Sequence, residues 1–281
     1  RLADWVTDRR NPLFSRAIVN RLWHYHFGQG LVSTPNDLGF SGGPPSHPAL
    51  LDALATELLR DFSLKRLHRE LVLSATYGQS SAPRDAALAV DADNRLWWRM
   101  NPRRLEAEAV RDAMLAVAGE LNRQMGGPGY HDFRAFLRGG TQFYEPLDPA
   151  GAAYQRRSVY RTWARGGHNR LLDTFDCPDP STSTPRRSVT TTPLQALALL
   201  NNSFVLRMAD AFAERARRDA AEEAGGGGAA EAAATRRLFQ LAYGRAPLPA
   251  EEGASVEFAR RHGLAALARI VLNANAFVYV E

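Results

Sequence analysis

The chain has 281 residues, of which 45% are hydrophobic and 23% charged, and its formal net charge is +5. These proportions are ordinary for a folded globular protein and argue against a disordered or fibrous chain. No stretch has the roughly 18 unbroken apolar residues that a membrane helix needs, so we expect a soluble protein without a membrane span.

The basic charge does not by itself predict nucleic-acid binding. Lys65 is the only lysine among 35 basic residues, and the arginines are scattered among acidic residues rather than gathered in a stripe. No nucleic-acid-binding module accompanies them, so we expect no nucleic-acid partner. The single cysteine, Cys177, excludes an internal disulfide, a cysteine metal cluster and covalent haem attachment. The start, "RLADWVTDRRNP", lacks Met and a signal pattern, and we expect a piece of a longer protein.

Helix signals dominate the first part of the chain. Asn11-Pro12 combines an N-cap with a proline at the first helical position, and apolar residues then recur at helical spacing until Gly28. His47-Pro48 starts a second helix and Ser63 caps a third. Asn101-Pro102 starts the longest one, "PRRLEAEAVRDAMLAVAGELN". Its apolar stripe predicts a buried face of Leu105, Ala109, Ala113, Val117 and Leu121.

The second half changes character before helices resume. Residues 126–165 are rich in Gly, Pro and aromatics, and "RRSVYRTW" near their end is typical of a strand. We expect a loop-rich insert with a short hairpin there. Helix returns at Thr192-Pro193 and continues through Phe212. Four glycines, 225–228, are costly to order and predict a linker, and short helices follow it.

These elements predict a mainly α fold, an irregular multi-helix domain with a loop-rich insert containing a short β-hairpin. The predicted main domain covers residues 1–224 and includes the insert. Residues 229–281 are too few to bury a core of their own, so we expect a C-terminal helical subdomain docked on the main body.

Three kinds of catalytic motif receive no support. His24 and His26 are two positions apart and point to opposite sides of a helix, while His47 and His68 stand alone, so no metal site is expected. "GFSGG", residues 39–43, matches G-x-S-x-G, but neither a strand precedes it nor a helix follows, which favours turns over a nucleophilic Ser41. No phosphate-binding glycine loop is present.

The segment Leu171–Asn202 contains "FDCPDPSTSTPRRSVTTTPLQ", in which two carboxylates precede paired arginines and a helix start. Helix N-termini offer free N–H groups to anions, and arginines add bidentate donors, so the segment is a candidate anion pocket. The alternative is that Asp176 and Asp179 neutralise Arg186 and Arg187 while Thr192 caps the helix.

Several blocks together resemble a known family. They include "NPLFSRAIVNRLWHYHFGQGLVSTPNDLG", "PPSHPALLDALATELL", "RLWWRMNPRRLEAEAVRDAML", "FDCPDPSTSTPRRSVTTTPLQALALLN" and "LNANAFVYVE". In this order they resemble the planctomycete cytochrome-associated family, domain of unknown function 1553. The resemblance implies an extracytoplasmic domain, periplasmic or secreted, in a full-length chain that also carries a cytochrome-c-like domain. It implies no cofactor in this segment, any haem lying in a missing N-terminal domain, and it brings no established reaction.

Two functions are compatible with these residues. The first is a polar Arg/Asp-lined pocket for an anionic or glycan-type ligand, in the context of polysaccharide degradation, with Asp37, Asp176 and Asp179 as candidate acids should hydrolysis occur. The second is a non-enzymatic scaffold in which Asp52, Glu108, Asp112 and Asp176 each pair with an arginine and the domain docks the cytochrome-like partner. The candidate ligand-binding residues are Asn20, Arg21, His26, Asp37, His47, Arg104, Glu108, Arg111, Asp112, Asp176, Asp179, Arg186, Arg187, Thr191 and Gln195.

Overall fold

A computed structural model describes residues 1–224 and 229–280 of the chain. Helices account for most of the secondary structure in these residues, and the strands form two small two-stranded sheets. The predicted mainly α fold with a short β-hairpin is confirmed. The chain forms two compact units, Arg1–Arg103 and Arg104–Val280. The predicted glycine linker, residues 225–228, lies outside the described residues. Among the helices that are described, none is long and apolar enough to cross a membrane.

The first unit, which is described throughout, contains helices joined by loops. They are α1 (Leu2–Val6), α2 (Pro12–Phe27), α3 (Pro48–Asp61), α4 (Leu64–Val72) and α5 (Asp85–Leu88). Helix α2 begins where the Asn11 side chain accepts a hydrogen bond from the Leu13 N–H, and it ends at Gly28, whose φ of 82° is left-handed. Ser63 caps α4 by accepting from the Arg66 N–H. The predicted starts of α2, α3 and α4 are confirmed.

Aromatic rings form the centre of the first unit's core. Phe27 is fully buried and stacks on Trp23, with ring centroids 4.1 Å apart. Trp97 meets both rings edge-on at 5.4 and 5.5 Å. Buried leucines from α3 and α4, Leu58 and Leu67, belong to the same cluster. Because aromatic pairs contribute about 0.5–1.5 kcal/mol beyond the area they bury, this cluster fixes α2 against the loop that carries Trp97.

The second unit is built around one long helix. Strand β1 (Arg103–Arg104) begins at the last residue of the first unit. The elements described after it are α6 (Ala107–Ala118), β2 (Phe133–Arg138), β3 (Thr141–Pro146), a 3-10 turn (Ser158–Tyr160), α7 (Arg170–Thr174), α8 (Pro193–Asn201), α9 (Ser203–Ala224), α10 (Ala229–Tyr243), α11 (Pro249–His262), α12 (Leu264–Asn273), α13 (Asn275–Val278) and β4 (Tyr279–Val280). Helix α9 packs against α6, α10 and α12. Phe212, Leu238 and Leu272 are fully buried in this core, so the helices after α9 share it with those before.

The helix predicted to start at Asn101-Pro102 begins later than expected. Residues 103–104 form β1, which pairs with β4 at the other end of the second unit, and α6 starts only at Ala107. Its buried face contains Val110, Met114 and Leu115, whereas Ala109 of the predicted stripe is exposed. The prediction failed because pairing with a strand far along the chain overrides the local cap-plus-proline signal.

The insert contains the predicted hairpin, but in a different place from the predicted strand. Strands β2 and β3 pair antiparallel across Gly139 and Gly140, which both have positive φ, as a tight two-residue turn requires. "RRSVYRTW" forms the 3-10 turn Ser158–Tyr160, and around it only isolated bridges to Asn122 and Tyr130 among the described residues. The β-branched and aromatic composition of that segment misled the prediction. Its Ser158 side chain bonds Asp112 of α6, whereas Val159 is exposed and the Tyr160 ring lies against Arg156.

The predicted helix from Thr192 to Phe212 is two helices. Helix α8 starts at a capping box in which Thr192 and Gln195 bond each other's backbone N–H, and it ends at Asn201. Asn202 is extended, and its side chain accepts from the Phe204 N–H, which starts α9. The continuous apolar pattern hid this break because asparagine is tolerated within a helical pattern but also caps a new helix.

Buried arginines hold the insert together and attach it to α6. Arg111 of α6 donates to the backbone carbonyls of Tyr154 and Arg156. Arg156 donates to three carbonyls of residues 124–128 and lies 3.9 Å above the Tyr160 ring. Arg161 donates to Gly167 and to Asp132. Guanidinium groups with many donors can satisfy a loop's carbonyls inside a protein, which explains how so irregular a segment is held.

Candidate functional site

The predicted residues of the first unit hold its glycine-rich loop together. Asn20 is fully buried, donates to the Val32 carbonyl and accepts from the Val32 N–H at 3.0 and 2.8 Å. Arg21 donates to the Asn36 side chain, and Asp37 Oδ1 accepts from the Gly39 N–H. His47 contacts the Ser46 hydroxyl at 3.1 Å. These contacts close the loop on itself, and residues 39–43 form turns, with no strand-to-helix elbow at the serine.

His26 has a partner that the sequence did not reveal. Its Nε2 lies 2.7 Å from Nδ1 of His68, so the expectation that His68 stands alone is wrong. Burial lowers the pKa of His26, and the neighbouring His68 and Arg103 lower it further. A hydrogen bond between two imidazoles needs one donor and one acceptor nitrogen, so it requires at least one neutral ring. The pair joins α2 to α4 within the first unit.

Asp176 is the centre of one polar network in the second unit. Its carboxylate accepts from Arg104 at 2.7 Å, from the Thr190 N–H at 2.9 Å and from the Thr190 hydroxyl. Gln195 donates to Thr190 and to the carbonyl of Thr174. Burial alone would raise the pKa of Asp176, but the hydrogen bonds from Thr190 and Arg104 outweigh it and hold the pKa below its usual value. Asp176 also has a left-handed φ of 61°, which aspartate tolerates better than most residues.

Glu108 forms a second network. Arg187 donates to both of its oxygens, at 2.6 and 3.0 Å, and the Cys177 thiol contacts it at 3.7 Å. Burial would raise the pKa of Glu108, but the bonds from Arg187 lower it overall. Burial, with the Glu108 charge beside it, raises the pKa of Cys177 to about 12. The thiol is therefore protonated at neutral pH.

The other predicted residues of the second unit have separate partners. Asp112 contacts Arg111 at 3.4 Å and accepts from the Ser158 N–H and hydroxyl. Asp179 accepts from the Ser181 N–H within its own loop, and the Thr191 hydroxyl lies 3.1 Å from that of Tyr279. Arg186 is exposed. Arg187 thus neutralises Glu108 rather than an aspartate of the segment, and Arg104, from outside the segment, pairs with Asp176.

A cavity of about 330 Å³ lies elsewhere in the second unit. It lies between the base of the hairpin, the start of α7 and the junction of α8 with α9. Of the predicted site residues, only Arg111 lines it. The lining residues are Arg111, Tyr130, Asp132, Pro146, Leu147, Asp148, Pro149, Tyr154, Asn169, Arg170, Leu171, Asn201, Asn202, Ser203 and Phe204.

Paired carboxylates form part of the cavity wall. Asp132 is buried and accepts from Arg161 at 2.8 Å and from Asn169 at 2.7 Å, both through Oδ2. Asp148 accepts a bidentate pair of hydrogen bonds from Arg207 at 2.6 and 2.7 Å, which hold its pKa below the usual value. Both carboxylates therefore have a cation beside them.

Two residues that line the cavity each have a buried polar atom with no partner in the described chain. Tyr130 and Asp132 are each more than nine-tenths buried, and the Tyr130 hydroxyl and Asp132 Oδ1 make no hydrogen bond. Burial raises the pKa of Tyr130, so its hydroxyl keeps its proton and can donate. Leaving such a group unpaired costs about 1–3 kcal/mol, which a bound molecule with a suitable polar group would recover.

The comparison with protein families identifies the chain. A family model described as "PSD1: Protein of unknown function (DUF1553)" matches residues 1–259. The chain belongs to this family. The resemblance to domain of unknown function 1553 is thereby confirmed, and the family match includes every residue that lines the cavity. No curated protein and no solved structure matches the chain.

Sequence reasoning missed most of the cavity because it looked at helix ends. Tyr130, Asp132, Asp148 and Tyr154 all lie in the insert at 126–165, for which the sequence predicted a short hairpin but no ligand-binding residue. Its length was the available signal, since loops longer than about 12–15 residues are uncommon and are often functional. Among the described residues, no group of three or more His, Cys, Asp or Glu side chains is placed to hold a metal ion.

Proposed function

We propose that the second unit of this DUF1553 family member binds a small, hydroxyl-rich ligand, such as a fragment of a glycan, in the cavity beside the insert. The observation that carries the proposal is that two residues lining the cavity each have a buried polar atom without a partner in the described chain, the Tyr130 hydroxyl and Asp132 Oδ1. One can donate and the other can accept, so a single ligand hydroxyl can satisfy either atom.

The rest of the lining suits the same chemistry. Tyr154 and Phe204 offer aromatic surface, on which the apolar face of a sugar ring can pack. The Asn201 side chain donates to Leu197 and that of Asn202 accepts from Phe204, and within the described residues the Asn201 oxygen and the Asn202 nitrogen make no further hydrogen bond. Aromatic surface with a few fixed donors and acceptors is the usual composition of a small-molecule site.

The cavity's size limits the ligand. Ligand sites usually have volumes of about 300–1,000 Å³, and 330 Å³ is at the lower end of that range. A monosaccharide, or the terminal sugar of a longer chain, therefore fits the proposal better than an extended polymer. Exposed residues at the cavity's mouth, including Leu147 and Arg170, leave it open to solvent.

An extracytoplasmic location and a part in polysaccharide degradation belong to the same proposal. Their support is the likeness of the sequence to exported, cytochrome-associated planctomycete proteins, and it does not come from a contact in the structure.

Titration calorimetry of the 281-residue chain with a panel of hexoses and their disaccharides tests the proposal. We expect at least one sugar to bind the wild-type chain, and Tyr130→Phe, which removes only the hydroxyl, to weaken that binding about fivefold. Tyr25→Phe is the matched control, because Tyr25 is exposed and lies in the other unit. Absence of binding by every sugar, or equal affinity for wild type and Tyr130→Phe, would reject the site.

A scaffold function has one observation in its favour. The carboxylates of Asp52, Glu108, Asp112 and Asp176 each contact an arginine, and none of the four residues lines the cavity. Such pairs suit residues that fix the packing of helices, and on this alternative the domain docks a c-type cytochrome-like domain of the same full-length protein. A pull-down with such a domain tests it. Retention of the cytochrome-like domain by the chain supports docking, and its absence from the bound fraction contradicts it.

A further inference from the structure

All but one of the charged residues that line the cavity have an oppositely charged side chain beside them. Asp132 is paired with Arg161, and Asp148 with Arg207. Arg111, the buried cation of the wall, contacts Asp112 and donates to two backbone carbonyls. Each of these charges therefore has an opposite charge within the protein, and none of them selects for a charged ligand.

Arg170 is the exception. It is the first residue of α7 and lines the cavity, and its side chain is exposed. Within the described part of the chain, its guanidinium makes no hydrogen bond, ion pair or ring contact, although the aspartate one turn later, Asp173, pairs with His168. The cavity wall therefore has one positive charge without a counter-charge.

Arg170 lines the same cavity as the two residues that have unpartnered atoms, Tyr130 and Asp132. The preceding residue, Asn169, donates to Asp132 Oδ2 at 2.7 Å, and Oδ1 of the same carboxylate is the acceptor left without a partner. A ligand in the cavity is therefore bordered by both the Asp132 carboxylate and the arginine. Guanidinium binds carboxylate and sulfate groups through two parallel hydrogen bonds, which a neutral hydroxyl cannot match.

We infer that the ligand of this cavity is an acidic sugar, with one carboxylate or sulfate ester bound by Arg170 and its hydroxyls bound by the buried part of the wall. The inference rests on the proposed sugar-binding function and adds the chemical class of the ligand. Arg170 is on this view a specificity-determining residue, and the buried polar groups supply binding that neutral and acidic sugars share.

Calorimetry with matched ligands tests the inference. The probes are glucose and galactose, the corresponding hexuronates, and galactose 6-sulfate. We expect one of the acidic sugars to bind the wild-type chain about fivefold more tightly than its neutral counterpart at low salt, since an exposed ion pair contributes up to about that factor. The preference should shrink as salt is added. Comparing the hexuronates with the sulfate ester shows which anionic group is bound.

Two variants assign the preference to one side chain. Arg170→Gln should bind neutral and acidic sugars equally, while Arg138→Gln, which changes an exposed arginine of the hairpin that does not line the cavity, should keep the wild-type preference. Equal binding of neutral and acidic sugars by the wild type, or a preference that survives in Arg170→Gln, overturns the inference and leaves the proposed function standing. Failure of every sugar to bind overturns both.

Discussion

Replacement of Asp176 tests whether its network stabilises the second unit. Asp176→Ala removes the carboxylate that Arg104 and Thr190 share, and Arg104 is almost entirely buried. Breaking a buried ion pair costs about 3–5 kcal/mol. Asp176 is partly exposed, and Arg104 keeps its bonds to the carbonyls of Phe175 and Thr190, so we expect a loss of about 2–3 kcal/mol in the free energy of unfolding.

The left-handed backbone at Asp176 allows a second comparison, between alanine and glycine at this position. Alanine at a φ of 61° adds strain of about 1 kcal/mol that glycine avoids. Asp176→Gly should therefore be less destabilising than Asp176→Ala, although both lose the ion pair. Urea unfolding followed by far-UV circular dichroism measures the differences.

A control variant and the pH dependence of the stability loss test this prediction further. Asp179→Ala removes an exposed carboxylate that accepts a hydrogen bond from Ser181 of its own loop. It should lower the free energy of unfolding by less than about 1 kcal/mol. Because the pKa of Asp176 is lowered, its contribution is present above the ordinary pKa of 3.8 and is lost as the pH falls below it. The difference in the free energy of unfolding between wild type and Asp176→Ala should therefore shrink at acid pH. Equal losses for Asp176→Ala and Asp179→Ala at neutral pH would refute the reasoning.

Three further predictions concern single contacts. Tyr130→Phe should raise the free energy of unfolding slightly, by up to about 1 kcal/mol, because it removes a buried hydroxyl that has no partner. The stability of the first unit should fall as the pH drops below about 6.5, because the lowered pKa of His26 means that the folded state disfavours the charged imidazole. Urea midpoints measured across this pH range test the prediction, and His68→Phe should make them depend less on pH. Cys177 should react slowly with a disulfide reagent at mildly alkaline pH, and Glu108→Gln should speed the reaction, because burial and the Glu108 charge raise the thiol's pKa to about 12.

Each of these three has an outcome that contradicts it. A clear loss of stability in Tyr130→Phe would mean that the hydroxyl has a partner in solution. Urea midpoints of the first unit that are unchanged between neutral and mildly acidic pH would show that the His26–His68 contact does not disfavour protonation. A Cys177 reaction as fast as that of a free thiol would show that the thiol is neither buried nor held beside Glu108.

The sequence predicted the elements whose signals are local. Asn11, Ser63 and Thr192 cap helices as expected, because a side-chain oxygen followed by free N–H groups depends on neighbouring residues alone. The late start of α6 and the break at Asn202 were not predicted. The first depends on pairing with β4, and the second on a cap that an apolar pattern conceals.

The candidate site was harder to predict than the fold. Several of the polar residues singled out in the sequence have partners from distant segments, as Arg104 for Asp176 and Arg187 for Glu108 show. The cavity depends on how the insert is folded against α7, α8 and α9, and residues such as Tyr130 carry no local motif. Spacing along the chain does not contain that information.

The anchoring of the insert by guanidinium groups on backbone carbonyls has a consequence for how the segment can diverge. A carbonyl oxygen is present whichever residue occupies the position, so Arg156 recognises the path of the main chain and not its side chains. Point substitutions at Gln124 and Met125 should therefore be tolerated, whereas the positive φ of Gly126 and Gly127 favours glycine there. Inserting or deleting one residue in 124–128 would shift every acceptor at once. Relatives of this protein are expected to vary in composition at the first two positions while keeping the glycines and the length of the stretch.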